Sequence, residues 1–116
     1  MTVGPVRLLL HVLGESDALA TAVRIGMKAR AELGGEAKIE LVVHGPAVVA
    51  LTTAADGPEG VLSGLEESSV LVVACRNSLA SFGLSAADLI KGVGSVPAAI
   101  AHLAIRQGDG WSYVRL

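Results

Sequence analysis

Three side chains able to do nucleophilic or proton-transfer chemistry stand at or beside the C-terminal ends of short apolar runs: His11, His44 and Cys75. They comprise the only cysteine and two of the three histidines. In an open parallel sheet, ligands bind outside the carboxyl ends of the strands, so the placement itself carries information. Cys75 closes the run Val70–Cys75 and directly precedes Arg76-Asn77-Ser78-Leu79, which reads as a helix N-terminus. A thiolate there meets exposed backbone N–H groups and the positive end of a helix dipole. Such settings lower a thiol pKa from about 8.5 to between about 3.5 and 7.5. Arg76 adds positive charge if its side chain folds back. The even alternative is a small buried hydrophobe, because free cysteine is among the most buried residue types. The reactive reading further requires that solvent reach the sulfur.

His44 opens the stretch His44-Gly45-Pro46-Ala47-Val48. It could give or take a proton, or hold Cys75 as a thiolate in an ion pair; its plainer role is to satisfy a loop carbonyl. Gly45 permits an unusual φ or a close backbone approach, and Pro46 starts a helical turn. His11 is the weakest candidate of the three, since Val12 and Leu13 follow it and it is expected to face a helix layer. His102 falls mid-helix and is expected at the surface or in a subunit contact. A zinc site from Cys75, His44 and His11 with a water would be catalytic in type, but none of the three shows metal-ligand spacing, so no metal is expected. Gly92-Val93-Gly94 precedes a strand instead of following one and lacks the third glycine of a dinucleotide fingerprint. There is no Walker loop, C-x-x-C, H-E-x-x-H or G-x-S-x-G, and no cofactor is expected.

The elements that must position these residues follow from periodicity. Val6–Val12, Ile39–His44 and Val70–Cys75 are strand-length and nearly continuous in Val, Leu and Ile, which indicates strands covered on both faces. Leu19, Ala22, Val23, Gly26 and Met27 recur at helical spacing, giving a helix of about 17 residues begun by Ser16 or Asp17 and ended by Gly34-Gly35. The first strand, this helix and the second strand make a βαβ unit. Ala47–Leu51 reads as a helical turn or two, 54–60 as a loop, and Pro58 as the start of a helix carrying Val61, Leu62 and Leu65. Asn77–Phe82 is helical and stopped by Gly83. Ser85-Ala86-Ala87-Asp88 starts a short helix ending at Gly92. A short fourth strand at Gly94–Val96, a helix from Pro97 to Gln107 and a fifth strand at Trp111–Leu116 complete the chain.

Composition limits what this assembly can be. The 116 residues make one domain, and 52% apolar with 17% charged residues excludes disorder. Nine Lys and Arg against eleven Asp and Glu, with no long basic run, argue against nucleic acid as a partner. One cysteine forms no internal disulfide, which fits a reducing, cytoplasmic setting. Val6–Leu13 followed by Ala18-Leu19-Ala20 has the look of a signal peptide. Arg7, His11, Glu15 and Asp17 break that pattern, and the run is far short of a membrane span of about 20 residues. It is read as a first strand, and no membrane partner is expected.

The same residues carry a family resemblance. His44-Gly45-Pro46-Ala47-Val48, then Ala74-Cys75-Arg76-Asn77-Ser78-Leu79, then Val96-Pro97 through Gln107, Gly110, Trp111 and Tyr113, resemble the DsrE/DsrF-like family, in particular its single-chain branch. The likeness covers nearly the whole chain and is strongest from Val70 onward. It implies a three-layer α/β/α domain with a five-stranded, mainly parallel sheet. It also implies homo-oligomers, commonly trimers or hexamers, and exchange with sulfur donor and acceptor proteins. The better understood members relay sulfur as a cysteine persulfide. By position Cys75 would carry the sulfur, with His44, Gly45 and Asn77 lining the pocket. Two functions stand against each other: a sulfur carrier working through Cys75, and a non-catalytic oligomeric binding module in which Cys75 is structural. One thiol suffices for the carrier, because the acceptor's thiol resolves the intermediate. It excludes an intramolecular dithiol oxidoreductase.

Overall fold

The computed structural model describes residues 5–53, 62, 65 and 68–116. Strand β1 (Arg7–Leu13) leads to helix α1 (Ala18–Leu33) and strand β2 (Lys38–His44). A 3₁₀ helix follows at Gly45–Leu51, with Pro46 in its first turn. Strand β3 (Val70–Cys75) runs directly into helix α2 (Arg76–Ser81), and a single 3₁₀ turn covers Ala86–Asp88. Strand β4 (Gly94–Val96), helix α3 (Ala99–Gly108) and strand β5 (Ser112–Arg115) close the chain. The expected loop at 54–60 and most of the helix expected from Pro58 lie outside the described residues.

The strands form one five-stranded sheet in the order β4-β3-β2-β1-β5, parallel throughout. Alternation along the strands sends two residue sets to opposite faces. Leu10, Val12, Ile39, Leu41, Val43, Val70, Val72 and Ala74 pack with α1 and the first 3₁₀ helix. Leu9, Val42 and Cys75 pack with Ala99 and Leu103 of α3 and with Trp111. Both faces of β2 are thus covered, which is why it reads as a nearly unbroken apolar run, whereas β3, with the same pattern, leaves Leu71 58% exposed on its α3 face. Helix α1 buries Leu19, Ala22, Val23 and Gly26. Met27, expected on the same face, is instead exposed at the rim, because α1 covers the sheet along a narrower stripe than the periodicity predicts.

Two local expectations are corrected. Ser85 does build a capping box with Asp88, but the helix ends after Ala86–Asp88. Leu89 turns extended, the Ile90 N–H bonds the Leu51 carbonyl, and Thr52 bridges Leu89, so tertiary pairing replaces helix propagation toward Gly92. Asp17 stands before α1 without a side-chain cap, and the helix closes on Gly34 at φ +89°. At that end Arg30 donates to the carbonyls of Ala37, Ser68 and Ser69, tying α1 to the turns that lead into β2 and β3.

Candidate functional site

Cys75 is the last residue of β3 and the residue before α2, at the carboxyl edge of the sheet. Its sulfur faces the α3 layer and accepts the Ala99 N–H at 3.4 Å. Ala98, at the N-cap of α3, offers no side-chain cap, so a sulfur from a neighbouring strand takes one of the otherwise unpartnered N–H groups of that helix. Burial pushes the thiol pKa up. The Ser78 hydroxyl and the N–H groups of Ser78, Ala99 and Asn77 together outweigh it, and the thiol is held below its ordinary value. Only the Ala99 contact has regular hydrogen-bond geometry; the Ser78 and Asn77 groups favour the anion without forming a cap.

Nothing in the sequence pattern marks Ser78 as a site residue. Buried on the first turn of α2, it accepts the Gly45 N–H on its Oγ at 2.9 Å, which leaves its O–H for the sulfur. Gly45 makes this possible. Its φ of +76° turns the chain out of β2, and a Cβ there would lie 2.9 Å from Leu13 Cδ1. Leu13 can swing aside, but the left-handed backbone penalises any side chain by about 1–2 kcal/mol. Gly45→Ala is therefore expected to lower unfolding stability by about that amount, read by urea denaturation. A loss near zero would show that the turn relaxes freely.

The two strand-end histidines meet each other, not the thiol. His11 Nε2 and His44 Nδ1 are 3.4 Å apart, and the ring planes are within 15° of parallel with centroids 5.6 Å apart. A centroid separation so much larger than the nitrogen gap means the rings approach edge to edge. His11 Nδ1 bonds the Tyr113 hydroxyl at 2.7 Å. His11 is 4% exposed, and its pKa is lowered by burial first, then by His44 and Arg115. Arg76 and Asn77 are exposed, and Asn77 serves the sulfur through its backbone N–H. Arg76 is not among the groups acting on the thiol.

Exposure departs from the requirement set by the reactive reading, because Cys75 is 2% exposed and has Val42, Ala99 and Leu103 in its apolar cluster. His102 is only 16% exposed and turns inward instead of lying free on the surface: its Nε2 bonds Glu40 Oε1 at 2.6 Å. Arg106 reaches the same carboxylate at 3.0 and 3.3 Å, and its guanidinium lies over the Trp111 ring at 4.7 Å. Glu40 is 2% exposed in the middle of β2, so α3 is fastened to the sheet by a buried ion cluster as well as by Leu103. Among the described residues no group of three His, Cys, Asp or Glu side chains is placed to hold a metal ion. A separate cleft lined by Arg30, Lys38, Leu71, Arg106 and Trp111 lies where β2 and β3 begin, at the other end of the sheet from Cys75.

A five-stranded parallel sheet flanked by helices defines the class as an α/β fold. The DsrE/DsrF-like family model matches residues 12–116, and the chain belongs to that family. It is similar in structure to MTH1491 from Methanobacterium thermoautotrophicum, a protein of unknown function, at 27% identity and TM-score 0.85, covering 96% of this chain and 99% of that one. The ychN protein from E. coli shares the fold at 18% identity and TM-score 0.79, with 96% and 99% coverage. BT1422 from Bacteroides thetaiotaomicron, a conserved protein of unknown function, shares it at 16% identity and TM-score 0.66, with 93% and 94% coverage. No curated protein matches the chain. No helix among the described residues is long and apolar enough to cross a membrane.

Proposed function

We propose that the protein is a sulfur-relay carrier that holds sulfane sulfur on Cys75. The observation that carries this reading is the convergence on one sulfur of the Ala99 N–H, two further N–H groups and the Ser78 hydroxyl, which favours thiolate in a nearly dry setting. Membership of a family whose better understood members relay sulfur supports it. In the reaction the Cys75 thiolate attacks the outer sulfur of a donor persulfide, R–S–SH. The donor S–S bond breaks, a new one forms on Cys75, and R–S⁻ leaves and takes up a proton; no net oxidation occurs. An acceptor thiolate then removes the outer sulfur in the same way and restores the Cys75 thiolate. Because the sulfur is 2% exposed, the exchange requires the N-terminus of α3 to part from it. In this reading the carrier is cytoplasmic, works as a homotrimer or homohexamer and meets donor and acceptor proteins. Exposed Leu71, Ile100 and Ile105 offer apolar surface for a second copy.

Alkylation rate against pH, combined with mass spectrometry after incubation with a sulfane-sulfur donor, tests the proposal. The expected result is an alkylation midpoint below about 8.5 and an adduct of about 32 Da on Cys75. The burial of Cys75 favours a second reading, a non-catalytic oligomeric binding module. An ordinary or raised midpoint, with no adduct on a thiol shown to be free, would establish that reading and remove the carrier.

A further inference from the structure

We propose that Tyr113, His11 and His44 form a directional hydrogen-bonded chain that moves a proton between solvent and the carboxyl edge of the sheet, with His11 and Tyr113 acting on the site through His44. The chain's purpose rests on the sulfur-carrier reading, but its existence does not. His11 is the link. Although buried, it has both ring nitrogens engaged, Nδ1 with the Tyr113 hydroxyl and Nε2 with His44 Nδ1. A neutral imidazole has one donor and one acceptor, so the role of one nitrogen dictates the role of the other. The short contact at 2.7 Å is assigned to the phenol donating to His11 Nδ1. His11 Nε2–H then donates to His44 Nδ1, and the His44 proton must sit on Nε2. That nitrogen has no hydrogen-bond partner among the described residues and forms the open end of the chain. Tyr113 is 39% exposed and forms the wet end.

The surroundings of His11 favour its neutral ring. Strand β2 presents His44, and strand β5 presents Tyr113 and Arg115. Burial and the two basic neighbours oppose a second proton on His11. A leaving thiolate at the sheet edge is protonated from His44 Nε2. His44 Nδ1 takes the His11 Nε2 proton, His11 Nδ1 takes the Tyr113 proton, and water restores the phenol. One proton leaves the chain and one enters it, and each imidazole ends in the opposite tautomer until the rings relay a proton back.

Nitrogen-15 NMR of the imidazoles, in the full protein and in Tyr113→Phe, reads the chain directly. In the native protein both His11 and His44 are expected as Nε2–H tautomers, with His11 titrating below the ordinary histidine range. In Tyr113→Phe, His11 should populate both tautomers and its midpoint should rise by roughly half a unit or more, since the lost hydrogen bond favoured the neutral ring. His44→Gln should also raise the His11 midpoint. Sulfur uptake by Tyr113→Phe should be roughly tenfold slower, less than the about 10²–10⁴-fold of a directly positioned proton donor, because His44 still gives the first proton. Its Cys75 alkylation midpoint should stay the same. A native His11 found as the Nδ1–H tautomer, or a tautomer and midpoint unchanged by Tyr113→Phe, would overturn the chain. The NMR readout is independent of sulfur, so absence of any persulfide beside an intact tautomer pattern would remove the carrier reading alone.

Discussion

Ser78→Ala is expected to raise the alkylation midpoint of Cys75 by roughly one pH unit. A hydrogen bond to a charged group contributes about 1.5–3 kcal/mol, and one pKa unit corresponds to about 1.4 kcal/mol. The low end applies because the Ser78 hydroxyl favours the anion without capping geometry. The substitution also leaves the Gly45 N–H without its acceptor. Unfolding measurements alongside the titration separate that loss from the effect on the thiol. The sign of the pH dependence follows from the same linkage. The folded thiol titrates below the unfolded one, so between the two values the unfolded chain binds more protons and native stability rises with pH. The contribution is complete above the unfolded value and disappears as pH falls through the folded one. In Ser78→Ala that rise should begin about one unit later. An unchanged midpoint would leave the backbone N–H groups as the whole cause.

The second large effect is expected at the fastening of α3. Arg106→Met removes the guanidinium from a carboxylate that is 2% exposed, while keeping an apolar stem against Trp111. Stranding one member of a buried ion pair costs about 3–5 kcal/mol. Arg106 is 31% exposed and His102 still holds Glu40, so about 2–3 kcal/mol is expected in chemical denaturation. Glu40→Leu should cost less, because His102 and Arg106 reach water whereas Glu40 does not. If Arg106→Met instead loses under about 1 kcal/mol, His102 alone satisfies the carboxylate and the pair is a minor part of the fastening. A loosened α3 also draws the Ala99 N–H away from Cys75, so the thiol midpoint should rise in the same variant.

How far the sequence discloses this molecule depends on the range of the interaction concerned. Val70–Cys75 reads as a strand and is one to the residue, because six consecutive apolar residues suffice to mark the element, although its cover is incomplete at Leu71. Gly45 and Pro46 announce the turn after β2 by their own backbone limits. The short helix after Ser85 fails because its capping box is local but its continuation competes with pairing to Leu51 and Thr52, more than thirty positions away. His102 looks like a surface residue because Glu40, its partner, lies 62 positions back inside an apolar strand. Tyr113 stands out only as part of a motif, since its contact with His11 spans 102 positions.

By itself the sequence determined the α/β class, the strands, the main helices and the placing of His11, His44 and Cys75 at strand ends. Those follow from side-chain periodicity and from the φ each residue tolerates, which act within a few positions of the chain. Tertiary structure alone decided which groups meet. It put a helix N–H on the Cys75 sulfur, joined His11 to His44 and Tyr113 instead of to the thiol, and buried Glu40 under α3. Strand order and register set those distances, and nothing in the local pattern of a strand records which neighbour it will have.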